Sequence, residues 1–424
     1  MTTETLYQIY LSCAVVSTDT RNITPGSLFF ALKGANFNGN AFAAQALAKG
    51  ASHAVVDEAA FATDERFLLV DDVLKTLQNL ARHHRRQLSV PVIAMTGSNG
   101  KTTTKELIHR VLSAKYKTYS TRGNLNNYIG LPLTLLSVGR EIEMVVLEMG
   151  SNRLGDIEEL AGICEPTHGL ITNIGKAHLE GFGGFEGVKK GEGELYDYFV
   201  RHGGTVFANA QNPVLQQMLA ERDLLATGYP PAGCELVASA PNVVYRDAAG
   251  HITETNLPGR HNFENIAAAL CIGQHFGVPA VQANAAAGGY VPENNRSQTI
   301  EKGTNTILLD AYNANPTSML ASLDYFAALP AGRKVVILGD MAELGEYAAG
   351  EHRTIGAMTA RAGFDKVLLC GPLMQNAVAP NPDAYYFIDK FSLNNWLTDN
   401  KLENSHILIK GSRRMALETL VELL

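Results

Sequence analysis

One ten-residue stretch constrains this chain more than any other: Thr96-Gly-Ser-Asn-Gly-Lys-Thr-Thr-Thr-Lys105. It follows the continuous apolar run Val92–Met95, which reads as a buried strand. It opens Lys101–Ala114, where Leu107, Ile108, Val111 and Leu112 share one helical face. Strand, glycine turn and helix in that order make a phosphate cradle. Glycines let backbone N–H groups turn inward, and the helix N-terminus adds partial positive charge. The Lys101 ammonium suits β/γ-phosphates and the Thr102 hydroxyl suits Mg2+. The longer form of the motif would start with glycine at position 95; this chain has Met95 there, so Gly97 and Gly100 give a shorter GxxGKT. The candidate nucleotide-binding positions are Gly97, Ser98, Asn99, Gly100, Lys101, Thr102 and Thr103. Kinases, motors, switches and ligases all use such a turn, so it names no reaction alone.

The chain has 424 residues. Single cores stop growing at roughly 250–300 residues, so three domains of about 140 residues are expected. Pro91 and the polar turn after Pro292 mark the boundaries, giving 1–90, 91–292 and 293–424. In the first part Ser27–Leu32, His53–Val56 and Phe67–Val70 read as strands, and Ala41–Ala48 and Val73–Arg86 as helices. The middle part continues with strands Met144–Leu147, Gly169–Thr172 and Thr205–Ala208 and an Ala-rich helix around Asn262–Gly273. In the last part Ile307–Leu309, Val335–Leu338, Val367–Leu369, Tyr385–Ile388 and Ile407–Ile409 alternate with helical stretches. The end, Arg413–Leu424, reads as a helix burying Leu417, Leu420, Val421 and Leu424. Continuous apolar strands alternating with helices predict an α/β protein of parallel sheets covered on both faces.

Composition narrows the partners. The formal charge is −7, and no basic run exceeds Arg85–Arg86 or Arg413–Arg414, so a nucleic-acid footprint is not expected. No apolar stretch reaches the roughly 18 residues of a membrane span. An acid near the start, Glu4, argues against a signal peptide. Five scattered cysteines without CxxC spacing point to reduced thiols and a cytoplasmic setting.

Three further segments carry chemistry. Glu148 ends the apolar Val145-Val-Leu run at the sheet edge where ligands bind, and a carboxylate there is costly unless paired, for which Mg2+ is suited. His178 lies in a glycine-rich loop after the next strand. Asn124, Asn126 and Asn127 form an amide-rich loop suited to sugars or peptides, although turn formation explains it equally well. Glu192 and Glu194 would by default be solvated acids at a helix start.

GSNGKTTTKE, GNLNNYIGLP, LEMGSN, NIGKAHLEGFGG, GRHNFENIAAA, DAYNANPTSM and LGDMAELG, in this order, together resemble the Mur ligase family of ATP-dependent amide-forming enzymes in peptidoglycan precursor synthesis. YNANP, LGDMAELG and the terminal IKGSRRMALE resemble the branch that joins D-alanyl-D-alanine to UDP-N-acetylmuramoyl-tripeptide. The resemblance implies an N-terminal UDP-sugar-binding domain, a central P-loop parallel-sheet ATPase-like domain, and a C-terminal Rossmann-like domain that closes over ATP and binds the dipeptide. It implies that Thr102 and Glu148 hold one Mg2+ and His178 a second. It places Asn262 and Asn265 near the adenine, Arg296 on the phosphates, and Asp310, Tyr312 and Asn313 over the nucleotide. Ser17, Asp19, Thr20, Arg21, Lys33 and Gly34 resemble the uridine-nucleotide segment, and Asn315, Asp340 and Glu343 are candidates for the dipeptide. Lys101, Glu148, His178 and Arg296 form the expected catalytic set.

One position departs from the family. Where several members carry a lysine carbamate this chain has Glu192, whose carboxylate would supply the anionic oxygen to the second Mg2+, with Lys189 or Lys190 as the alternative. A monomer is expected. The competing readings are another Mur-type or folylpolyglutamate-synthase-like ligase, disfavoured by the N-terminal segment and YNANP, and a P-loop switch without ligation.

Overall fold

The computed structural model describes residues 1–424. The first sheet is parallel, in the order Val16–Ser17, Leu28–Phe30, His53–Val56, Phe67–Leu69. The helix after it, Val73–Gln87, is capped by Asp72, whose carboxylate accepts from Lys75 N at 2.8 Å. That cap satisfies one of the free N–H groups at the helix start. Leu77, Leu80 and Ala81 face the core, while Arg85 is buried and donates to the carbonyls of Cys164 (2.8 Å) and Glu165 (2.9 Å). The N-terminal unit is thereby fixed to the middle of the chain through the backbone of another helix.

The second sheet has six parallel strands, in the order Ala226–Tyr229, Thr205–Asn209, His168–Ile171, Val92–Thr96, Met144–Glu148, Thr118–Ser120. From Val92–Thr96 the chain builds first to one side and then to the other. The order therefore reverses at this strand, and the crevice beyond its carboxyl end is where such sheets take ligands. The helices Lys101–Ser113 and Arg260–His275 cover one face and Asp156–Cys164 and Phe185–His202 the other, consistent with the two apolar clusters on either side of the sheet.

The third sheet also has six strands, in the order Gln298–Lys302, Asn305–Leu309, Ser405–Lys410, Arg333–Gly339, Lys366–Cys370, Tyr385–Phe387. All pairs are parallel except the first, an antiparallel hairpin at the edge. It docks on the central part through Leu179, Phe182 and Val188, which pack with Met341 and Leu344. Full burial of apolar side chains is worth about 1.5–3 kcal/mol each, so this patch fastens the third sheet to the central part.

Three differences from the sequence reading have physical causes. The terminal segment is not one α-helix but two 3-10 turns, Arg413–Met415 and Leu417–Leu423, separated by Ala416 at φ 48°. Leu417 and Leu420 are buried, but Val421 and Leu424 are only half-buried, so the 3.6-residue stripe was never complete. Ala41 and Phe42 do not belong to the second helix; a 3-10 turn over Gly39–Phe42, capped by Asn38, leads into Ala43–Ala48. A small antiparallel meander, Glu235–Ala238, Val244–Arg246 and Ile252–Glu254, has mostly exposed alternate residues and gave no apolar run to read. No helix is long and apolar enough to cross a membrane.

Candidate active site

A cavity of about 570 Å3 lies between the carboxyl ends of the second sheet and those of the third. Its floor is the glycine turn. Gly97 sits at φ +127° and Gly100 at φ +81°, and a Cβ on Gly100 would lie 2.6 Å from Asn265 Oδ1. Only glycine meets both demands there. Asn265 and Asn262 form a buried amide chain under the turn: Thr104 Oγ1 donates to Asn265 Oδ1 (3.0 Å), Asn265 Nδ2 to Asn262 Oδ1 (3.0 Å), and Asn262 Nδ2 to the Pro258 carbonyl (2.7 Å). Both asparagines line the cavity, yet these groups are already engaged in bracing the helix that follows the turn. Lys101 Nζ folds back onto the Gly97 carbonyl.

Glu148 is 3% exposed. Its Oε1 accepts from Asn126 Nδ2 at 2.9 Å, whereas Oε2 is buried with no hydrogen-bond partner. An orphaned carboxylate oxygen at the cavity wall fits a cation. Thr102 lines the same cavity, as do Ser98, Asn99, Thr103, Asn124 and Asn127. Asn127 is engaged locally, its Oδ1 accepting from Gly130 N (2.8 Å) and Ile129 N (3.1 Å), which is the turn-forming role.

His178 is held at φ 50° in the loop after His168–Ile171, and its Nδ1 meets Glu343 Oε2 at 2.5 Å. That hydrogen bond holds the Glu343 carboxyl below its usual range. Glu343, expected at the dipeptide, lines the cavity and there engages a histidine of the central part. Asp340, expected beside it, does not line the cavity. Its Oδ1 accepts from Met374 N at 2.9 Å, and burial pushes its pKa up; the group fixes the 371–374 turn.

The carboxylate of Asp310 is likewise occupied. Oδ2 accepts from Lys410 Nζ (2.5 Å) and Ser322 Oγ (2.8 Å), and Oδ1 from Ser297 N (3.2 Å). Burial alone would raise its pKa, and the adjacent Lys410 ammonium overcomes that and holds it low. Arg296 lies 3.8 Å from the centre of the Tyr312 ring, and its buried Nε has no partner. Tyr312, Asn313 and Asn315 line the cavity with it.

Glu192 departs most from expectation. It lies in the middle of the Phe185–His202 helix, is 2% exposed and does not line the cavity. Oε2 accepts from Thr96 Oγ1 (2.5 Å) and Gly97 N (2.9 Å), and Oε1 from Ser151 Oγ (3.1 Å). It clamps the start of the glycine turn to the loop after Glu148. Lys189 pairs with Glu221 at 3.3 Å, away from this clamp. Glu194 is no solvated acid either, since it accepts from Gly155 N (2.6 Å) and Glu158 N (3.0 Å) at the start of the neighbouring helix.

The N-terminal candidates do not reach the cavity. Ser17 donates to the Asp19 carbonyl at 3.3 Å, and Asp19 pairs with Arg21 at 2.7 Å, which draws its carboxyl down to about 2. Thr20 accepts from Lys49 through its carbonyl (2.8 Å), and Lys33 bridges Asp57 and Glu58 at 2.9 Å each, beside Gly34 in a short hairpin. Sequence reasoning missed Lys410, whose ammonium ends the apolar strand Ser405–Lys410 inside the cavity wall. It also missed Lys105, 1% exposed and donating to the Thr121 carbonyl at 2.6 Å. A charged residue that closes an apolar strand run was the available signal for Lys410.

Three family profiles match in series: the catalytic domain of the Mur ligase family over 13–85, the Mur ligase middle domain over 95–273, and the Mur ligase glutamate ligase domain over 295–413. A UDP-N-acetylmuramoyl-tripeptide–D-alanyl-D-alanine ligase of Bacillus subtilis is 33% identical, across 96% of this chain and 92% of that protein. The enzyme of that name from Escherichia coli is 35% identical, across 96% and 93%. Among solved structures, a MurF crystal structure from Acinetobacter baumannii superposes with a TM-score of 0.87 at 29% identity, covering 99% of this chain and 98% of that one. MurF ligase from Thermotoga maritima in complex with ADP gives 0.85 at 26% identity, covering 98% and 97%. With nearly the whole length matched in this order, the chain belongs to the Mur ligase family.

Proposed function

We propose that this protein joins D-alanyl-D-alanine to UDP-N-acetylmuramoyl-tripeptide with consumption of ATP, a step of peptidoglycan precursor synthesis. The observation that carries the reading is the polar cavity itself, where the glycine turn, Glu148 and Arg296 converge under a docked third sheet. The cytoplasmic setting, the monomeric state and the division of labour among residues 1–90, 91–292 and 293–424 belong to the same proposal.

A carboxylate and an amine do not condense in water, because oxide leaves poorly and the carbonyl is deactivated. Transfer of the γ-phosphoryl group to the tripeptide carboxylate gives an acyl phosphate and ADP. The dipeptide amine then attacks the acyl carbon, and phosphate leaves. The work of the protein is positioning and charge compensation. Lys101 and Arg296 would face the transferring group, the N–H groups at the start of the Lys101–Ser113 helix would hold its oxygens, and Asn124 and Asn126 would meet the acceptor. Glu148, through its free oxygen, and Thr102 would hold Mg2+, which neutralises phosphate charge. His178 would serve a second ion through Nε2, since Glu343 on Nδ1 fixes the tautomer that leaves Nε2 bare. Glu192 would then act on the ions through the turn. The docked third sheet keeps water from the acyl phosphate. An α-amino group titrates near ~8, so enough neutral amine is present without a dedicated base.

The test supplies ATP, Mg2+, the UDP-tripeptide with 18O in its terminal carboxylate, and D-alanyl-D-alanine. Steady-state turnover of ATP that needs both acceptor and dipeptide, with 18O appearing in phosphate, is the expected result. Phosphate free of label, or sustained ATP turnover without the dipeptide, defeats the reading.

A further inference from the structure

The helix Pro316–Ala328 starts on Asn315, whose side chain does two things at once. Its Oδ1 accepts from Ser318 N at 2.9 Å, while Ser318 Oγ accepts from Asn315 N at 3.1 Å, closing a reciprocal cap. This cap fixes which way round the amide sits, so Nδ2 must point outward. It donates at 2.8 Å to Asn99 Oδ1, at the tip of the glycine turn. Among the side-chain hydrogen bonds it is the single one joining residues 293–424 to residues 97–103.

The surroundings are shaped for this meeting. Asn99 N donates to Asn173 Oδ1 (3.1 Å), and the Asn99 carbonyl accepts from Thr172 Oγ1 (2.7 Å) and Asn173 Nδ2 (3.0 Å). Thr317, next on the capped helix, accepts from Lys176 N at 3.0 Å through Oγ1. A Cβ on Gly175 would lie 2.9 Å from Thr317 Oγ1 and 3.0 Å from Asn99 Nδ2, so a side chain there would press on both partners of this contact. Three loops from two sheets therefore meet at one amide pair.

We propose that Asn315 is a positioning residue: docking of the third sheet sets the tip of the phosphate-binding turn through the Asn315–Asn99 amide bridge. This rests on the ligase reading above for its kinetic consequence and replaces the expectation that Asn315 handles the dipeptide. The bridge exists only when the two bodies are docked, so it couples that docking to the geometry of phosphoryl transfer. It does not contribute to capture of the amine.

Asn315→Ser separates the two functions, because serine caps a helix about as well as asparagine but is too short to reach Asn99. Asn315→Thr repeats the test with a second capping residue. The expected result is an unchanged melting temperature, a kcat lowered about three- to tenfold, as suits one neutral hydrogen bond, and an unchanged KM for the dipeptide. Amide hydrogen exchange at residues 98–101 of the substrate-free protein speeds up, while exchange within 319–328 stays the same. Asn99→Ser should be slowed as well, and adding Asn315→Ser to it should slow it no further. A raised dipeptide KM at preserved kcat overturns the proposal, as do additive losses in the double variant or unchanged exchange at 98–101. The exchange readout needs no ligation, so it decides on the bridge even if the wild-type protein fails to make the amide bond.

Discussion

The second and third sheets are built alike, with parallel strands ending in glycine loops at a shared cleft, yet they treat the carboxylates at those ends in opposite ways. In the second sheet Glu148 keeps one oxygen buried and unpartnered. In the third sheet Asp310 is met by an ammonium, a hydroxyl and a backbone N–H, and Asp340 by the Met374 N–H. A buried charge left open is unfavourable until a ligand arrives, whereas a buried charge closed on its own neighbours is structure. One sheet thus offers its strand ends to chemistry. The other consumes them internally and becomes a rigid body that can be docked.

The largest effect that tests this contrast is on stability. Asp310→Ala strands Lys410, which is 2% exposed, and should destabilise the protein by about 3 kcal/mol in denaturant titration. Lys410→Met in the same chain should recover most of the loss. The pH dependence has a definite sign. The Asp310 carboxyl is held below its unfolded value, so its contribution is complete above the ordinary Asp range and is lost as pH falls through the lower folded value. An Asp310→Ala protein as stable as wild type, with only a raised KM for ATP, would break the comparison and return Asp310 to nucleotide binding.

Glu148→Gln should do the reverse. The substitution keeps an acceptor for Asn126 Nδ2 and removes an uncompensated charge, so melting should be unchanged or higher. Activity should fall roughly 10²–10³-fold, as when a preorganised electrostatic group is lost. Any large loss of stability in this variant would mean that the open oxygen is structural after all.

The halves of the contrast were not equally legible. The glycine turn, the Val92–Thr96 strand and the helix from Lys101 follow from local rules, because strand, turn and helix cap each leave a mark within ten residues. Glu148 was readable as a polar residue closing an apolar run. The same pattern at Lys410 went unread because a lysine after Ile407-Leu-Ile looks like solvated strand-end charge, and its partner lies 100 residues away. Glu192 was misplaced for a similar reason. A Lys-Gly-Glu-Gly-Glu string looks polar and helix-opening, but it lies inside Phe185–His202, where Glu192 is buried and its carboxylate meets Thr96 Oγ1 and Gly97 N. Pairings of long sequence separation decide whether a charge is open or closed, and no local pattern records them.

Glu192 sharpens the comparison because it is a closed carboxylate on a helix that covers the open sheet. Glu192→Ala leaves Gly97 N–H and the Thr96 hydroxyl without their acceptor, a loss of about 1–3 kcal/mol shared between melting and kcat. If Glu192 acts as a clamp, raising Mg2+ does not restore the rate. If it reaches an ion directly, the Mg2+ requirement rises and saturating Mg2+ recovers most of the activity. Full activity with ordinary metal dependence would exclude both roles.

The smallest effect lies at the opposite end of the second sheet, where no ligand is expected. His168 packs against Phe276 and His275, with ring centres 4.9 and 5.2 Å away, and burial followed by repulsion from His275 lowers its pKa to about 4. The unfolded chain takes up a proton near ~6.5, so between that pH and about 4 it binds more protons than the native state. Stability must therefore decline as pH drops through this window. His168→Phe removes the titrating group, keeps an aromatic ring beside Phe276, and leaves Thr167 Oγ1 its contact with Val92 O at 3.2 Å. The difference in urea midpoint between pH 7 and pH 5 should shrink in this variant, while kcat at pH 7 stays put. An undiminished difference would place the acid sensitivity elsewhere, with His84 and His352, whose pKa values burial also lowers, the next groups to examine.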